Sequence, residues 1–120
     1  MTDRMLIAAP SKGNRALDDT ISDIFAKAPV FTFIEIVDGK IKNVEVEENT
    51  VSKLTQGAGP IVMKTLKDRG VDAVIAGEVG PGARTLMEFS GIKLFTVKPG
   101  TKISTAVENA LERTDNSLNS

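Results

Sequence analysis

Hydrophobic and polar positions repeat one pattern twice between residues 55 and 97. Gly59-Pro60, nine residues, Gly70 and the apolar run Val71-Asp72-Ala73-Val74-Ile75-Ala76 come first. Gly80-Pro81, nine residues, Gly91 and Ile92-Lys93-Leu94-Phe95-Thr96-Val97 follow in the same register. Proline is tolerated in a first helical turn because its missing N–H has no partner there, and glycine is favoured just past a helix end. Each unit therefore predicts a short helix that delivers the chain into a buried strand. Helices alternating with such strands imply a parallel sheet, whose ligands bind beyond the carboxyl ends of the strands.

The remaining pattern supplies the other elements. Met5-Leu6-Ile7-Ala8-Ala9 is a continuous apolar run, as in a strand buried on both faces. Leu17, Ile21, Ile24 and Phe25 have helical spacing, with Asp18, Asp19 and Asp23 opposite, and predict a short amphipathic helix ending before Pro29. Val30–Val37 and Ile41–Glu47 read as strands joined by Asp38-Gly39, the strongest hairpin signal in the chain. Val51–Gln56 reads as a linker. The helix from about Pro60 to Arg69 is expected to bury Ile61, Val62, Thr65 and Leu66; that from Pro81 to Ser90, Ala83, Leu86, Met87 and Phe89. A third follows Thr101 as N-cap and buries Ile103, Ala106, Val107, Ala110 and Leu111. The predicted fold is a mixed five-stranded sheet with one antiparallel strand and helices on both faces. It forms one domain over residues 1–113, followed by a polar, flexible tail over 114–120.

Composition narrows the chemistry. The net charge of −1 gives no global field toward nucleic acid or anionic membrane. The five phenylalanines are the only aromatics, too few for a base-stacking platform. No cysteine or histidine occurs, which removes thiolate metal sites, the commonest imidazole ligand and the usual general base. No apolar run has the length of a signal peptide or membrane span, so a soluble, cytoplasmic protein is expected.

If the first, third, fourth and fifth strands are parallel, four turns share one edge of the sheet: Pro10–Arg15, Gln56–Pro60, Gly77–Gly82 and Pro99–Thr101. Three lead into helix N-termini, where unpaired N–H groups favour an anion. The candidate ligand-binding residues are Lys12, Gly13, Arg15, Gly57, Gly59, Gly77, Glu78, Gly80, Gly82 and Arg84. Backbone donation falls to Gly57, Gly59, Gly80 and Gly82, and counter-charge to Lys12, Arg15 and Arg84. The plain alternative is that glycine and proline merely punctuate tight turns. Neither glycine turn completes a dinucleotide or P-loop motif. The serines have no histidine to activate them, and no nucleophile elbow occurs. Glu78 is the one turn carboxylate that could hold a metal through oxygen, or simply be solvated.

Taken together, several segments resemble the dinitrogenase iron–molybdenum cofactor biosynthesis family, the NifX-like domains. They are Ile7-Ala8-Ala9-Pro10, the stretch from Leu17-Asp18 through Phe25-Ala26-Lys27-Ala28-Pro29-Val30-Phe31, and Gly57-Ala58-Gly59. Gly70-Val71-Asp72-Ala73-Val74-Ile75-Ala76-Gly77, Gly80-Pro81-Gly82-Ala83 and Gly91-Ile92-Lys93-Leu94-Phe95 complete the set. The resemblance implies a three-layer α/β/α domain with a ribonuclease-H-like motif. It also implies a non-catalytic carrier of an anionic iron–sulfur or iron–molybdenum cofactor, held transiently as cargo, with a protein partner in cofactor assembly. No intrinsic cofactor and no resident metal are expected. The resemblance implies that cofactor-binding members commonly offer histidine or cysteine near these turns. This chain has Leu54-Thr55-Gln56 before Gly57 and neither residue type anywhere, so ligation of iron by those residues is impossible here. Two other readings stay open: a nucleotide- or phosphate-binding module or enzyme using Glu78 and a divalent metal, and an interaction domain recruiting a partner or second copy along Ile41–Glu47.

Overall fold

In the computed structural model, which describes residues 3–54 and 56–119 and side chains as far as Arg113, the first apolar run is a central strand. This strand, β1 (Arg4–Ser11), is buried from Leu6 to Ser11 between two neighbours. β2 (Val30–Val37) and β3 (Lys40–Glu48) form the hairpin, with Asp38 and Gly39 both left-handed at φ 52° and 81°. Two positive φ values are what a type I′ turn requires. The repeat folds as α1 (Ala58–Asp68), β4 (Ala73–Ala76), α2 (Pro81–Ser90) and β5 (Lys93–Thr96). Gly70 and Gly91 end the two helices at φ 77° and 71°, so the sequence repeat is also a structural one.

The sheet order is β3-β2-β1-β4-β5. β2 is antiparallel to both neighbours, whereas β4 pairs parallel with β1 and with β5. The other four strands therefore share one direction, as expected. Side chains alternate across β1. Leu6 and Ala8 join Phe31, Phe33, Val74 and the inner faces of α1 and α2. Ile7 and Ala9 join Ile34, Ile75 and Ile103, Ala106, Val107 and Ala110 of α3 (Ile103–Asn119). Three layers result. Fully burying Ile103 and Val107, both 0% exposed, contributes roughly 1.5–3 kcal/mol each and fixes α3 to its face.

Five local expectations fail. Residues 17–25 form no α-helix beyond the single 3-10 turn Ala16–Asp18. They run instead as a belt across the carboxyl ends of the strands. The Ile21 N–H bonds Thr101 O, Ser22 N–H bonds Pro10 O and Phe25 N–H bonds Glu78 O. Asp, Thr and Ser offer backbone groups local alternatives to a helix, and here those alternatives win. Asp19 accordingly leaves the solvent face expected for it and is 3% exposed. In α1, Met63 and Ala58 are buried in place of Ile61 and Thr65, a rotation of the inner face by about one position. Phe89, expected inside, is 86% exposed. Thr101 does not cap α3; its hydroxyl donates to Lys98 O, and the Ile103 N–H bonds Asp19 O. The backbone of α3 continues to Asn119, while Ser120 and the side chains from residue 114, where the flexible tail was expected, lie outside the described residues. So do Thr55 and the first two residues.

Candidate functional site

The first turns of α1 and α2 lie side by side: a methyl group placed at Gly59 would sit 3.9 Å from Ala83 Cβ. Between them and the belt opens a crevice of about 290 Å³. Its walls are Ile24–Lys27 of the belt, Leu54 and Gln56 of the loop before α1, Gly57–Pro60 at the start of α1, and Gly80, Gly82 and Ala83 at the start of α2. Gly57 precedes α1 at φ 80°, a conformation that a residue with a side chain adopts only with strain, so bare backbone is built in here. Methyl groups placed at Gly57, Gly80 or Gly82 would meet nothing within 4 Å.

Neither N-cap has a capping side chain, and neither first turn has an acidic residue. The Ala58, Gly59, Gly82 and Ala83 N–H groups therefore take no side-chain acceptor among the described residues, and both helix dipoles add positive potential at this mouth. Among the described residues, Lys27 is the one ionisable residue lining the crevice. It is exposed and makes no ion pair among the described residues. Among the described residues the lining holds no acid–base pair, and its one ionisable group is the Lys27 amine.

The crevice thus brings together four of the residues singled out from sequence: Gly57, Gly59, Gly80 and Gly82. The other six lie elsewhere. Lys12 pairs with Asp23 at 3.8 Å and Arg15 with Asp19 at 3.5 Å, so both cations are committed to neighbouring acids. Gly13 packs against Asp19, since a methyl group there would stand 2.7 Å from Oδ2. Gly77 packs in the same way against Pro99 Cγ, also at 2.7 Å. Glu78 is exposed and contributes its carbonyl to the belt. Among the described residues no three acidic side chains gather as a metal could require. Arg84 is exposed on α2 beside the crevice without lining it.

Lys27 and Asp19 escaped sequence reasoning. Lys27 lies within the Phe25–Phe31 stretch, where the only signal was the stretch itself. Burial pushes the Asp19 carboxyl up, but the Thr20 and Arg15 N–H groups and the Arg15 guanidinium outweigh it and hold it below the usual carboxylate range. Those N–H groups reach Asp19 at 2.8 and 3.1 Å.

A second, larger groove of about 400 Å³ lies at the other end of α1, lined in part by Arg4, Glu35, Glu45 and Arg69. Its charges neutralise one another: Arg4–Glu35 at 2.5 Å, Arg69–Glu45 at 2.9 Å, and Arg69 with Glu47. The Arg69 guanidinium also lies 3.9 Å over the Phe33 ring. Among the described residues lining this groove, no cation is left without an acidic partner.

Comparison with known proteins places the chain in context. Residues 3–113 match the family described as "Dinitrogenase iron-molybdenum cofactor". An uncharacterized protein of Methanocaldococcus jannaschii, MJ0580, is 32% identical over 108 residues, covering 90% of this chain and 86% of that one. The apo form of the orange protein from Desulfovibrio gigas superposes with TM-score 0.81 at 25% identity, over 91% of this chain and 88% of that one. The Thermotoga protein TM1290, of the DUF35 family, superposes with TM-score 0.72 at 34% identity, over 90% and 88% of the two chains. No described helix is long and apolar enough to cross a membrane.

Proposed function

The chain belongs to the dinitrogenase iron-molybdenum cofactor family, and from that premise we propose that it is a non-catalytic carrier. It takes an anionic iron–sulfur or iron–molybdenum cofactor as cargo in the crevice between α1, α2 and the belt. One observation carries this reading: two helix N-termini without capping side chains converge on a cavity in which, among the described residues, Lys27 is the one ionisable group and makes no ion pair.

The residues present decide how the cargo is held. With no histidine or cysteine in the chain, no side chain supplies the usual direct bond to iron or molybdenum. What the crevice does supply is N–H donors from Ala58, Gly59, Gly82 and Ala83, the Lys27 ammonium, and apolar walls from Ile24, Phe25 and Leu54. These suit a cluster whose metal valences are already filled and whose periphery carries the negative charge. The absence of strong ligands also suits release to a protein partner in the cytoplasm. We read the strand order, with β2 the one reversed strand, as the ribonuclease-H-like motif that supports this edge.

Lys27→Glu tests the reading. Anaerobic titration with isolated iron–molybdenum cofactor, followed by visible absorbance, should show at least about tenfold weaker binding at low salt. The difference should shrink as salt is raised. Equal affinities for Lys27→Glu and the wild type would remove the crevice from the account.

A further inference from the structure

Asn49 stands outside the crevice lining yet touches both of the segments that wall it. Its Nδ2 donates to Ala26 O at 3.0 Å and to Ala28 O at 2.8 Å. Its Oδ1 accepts the Val51 N–H at 3.2 Å, and its own N–H bonds Pro29 O at 2.9 Å. Two carbonyls at one end of the amide and an N–H at the other fix its orientation. Ala26 belongs to the belt wall, between Ile24 and Lys27. Val51 opens the loop that carries Leu54 and Gln56, which form another part of the lining. That loop also closes two short turns, Ser52 N–H to Asn49 O and Leu54 N–H to Val51 O, and Val51 packs against the core on the α1 and α2 face of the sheet. Asn49 is also the point where β3, ending at Glu48, hands the chain to that loop.

We infer that Asn49 is a positioning residue that sets the width of the crevice by tying both walls to the end of β3. The inference rests on the carrier reading for its consequence, but not for its geometry. An aspartate is nearly isosteric at this position. It keeps the acceptor for Val51 and replaces two donors with an oxygen facing two carbonyls. Asn49→Asp should therefore loosen the walls without removing volume, and Asn49→Ala should do the same without adding charge.

The test combines amide hydrogen exchange with cofactor titration. A comparison variant, Asp72→Ala, removes the Oδ2 acceptor that holds the Leu6 N–H at 2.8 Å, at the opposite end of β1. In both Asn49 variants, exchange should rise together in peptides covering Ile24–Ala28 and Val51–Leu54. The core of α3 should stay protected. Affinity for iron–molybdenum cofactor should fall about tenfold or more. Asp72→Ala should leave both walls and the affinity within about twofold of wild type. Faster exchange in one wall only, or equal changes in the Asn49 and Asp72 variants, would overturn the inference. So would loosened walls with undiminished affinity. If wild type takes up no cofactor, the carrier reading falls, and the exchange pattern alone decides whether Asn49 joins the walls.

Discussion

Gly80→Asp should stabilise the protein slightly while destroying its capacity to bind an anionic cofactor. Gly80 is the N-cap of α2, with φ −65° and ψ 159°, an extended conformation that aspartate adopts without strain. Aspartate is a preferred N-cap residue, better than glycine by a few tenths of a kcal/mol, and its charge beside the helix N-terminus adds roughly 0.3–1 kcal/mol. A methyl group at this position meets nothing within 4 Å, so the fold accommodates the change. The new carboxylate would engage the N–H groups that an anion needs and would repel it. Two like charges about 4 Å apart at an effective dielectric of 20 interact by roughly 4 kcal/mol, so affinity should fall by at least about a hundredfold. Thermal melting and anaerobic cofactor titration on the same preparation check both halves. Loss of stability would contradict the capping geometry; unchanged affinity would contradict the site.

Asp19→Ala carries the largest expected loss of stability. Its carboxylate, 4% exposed, accepts the Arg15 and Thr20 N–H groups and faces the Arg15 guanidinium. Removing it leaves two partly buried donors without an acceptor, at about 1–3 kcal/mol each before solvent rescue. An overall cost of about 2–4 kcal/mol, or a melting temperature lower by roughly 10 °C, is expected. The pH dependence follows from the depressed carboxyl. The folded state binds the Asp19 proton less tightly than the unfolded chain, whose value is about 3.9. Its stabilisation is therefore complete above about pH 4 and is lost as pH falls through the lower folded value. Melting curves of the wild type and Asp19→Ala should converge below about pH 4. A constant gap from pH 7 to pH 3 would show that the carboxylate charge contributes nothing.

Which features the sequence revealed depends on how local their causes are. The Asp38-Gly39 turn, the central strand β1 and the doubled helix–strand unit follow from residues within a few positions of one another, and all were legible. The order of directions in the sheet followed from combining the hairpin with the repeat. The belt was not legible. The spacing of Leu17, Ile21, Ile24 and Phe25 suits a helix as well as an irregular segment, and the bonds that decide between them reach Thr101 and Glu78. Ile61, Val62 and Met63 are three consecutive apolar residues, so only tertiary packing chooses which two face the sheet. The same division holds at the site. Gly57, Gly59, Gly80 and Gly82 announce themselves at helix starts. Lys27 and Asn49 acquire their positions from the belt, and nothing adjacent to them in sequence signals it.

The central claim is that an anionic cofactor sits against the bare backbone between α1 and α2. With ten glycines in the chain, four of them lining the crevice, glycine-selective ¹⁵N labelling gives a small set of amide signals with its own internal controls. On addition of iron–molybdenum cofactor, the signals of Gly57, Gly59, Gly80 and Gly82 should shift or broaden. Those of Gly39, Gly70, Gly91 and Gly100 should stay in place. Unchanged spectra, or changes confined to the glycines outside the crevice, would contradict the account.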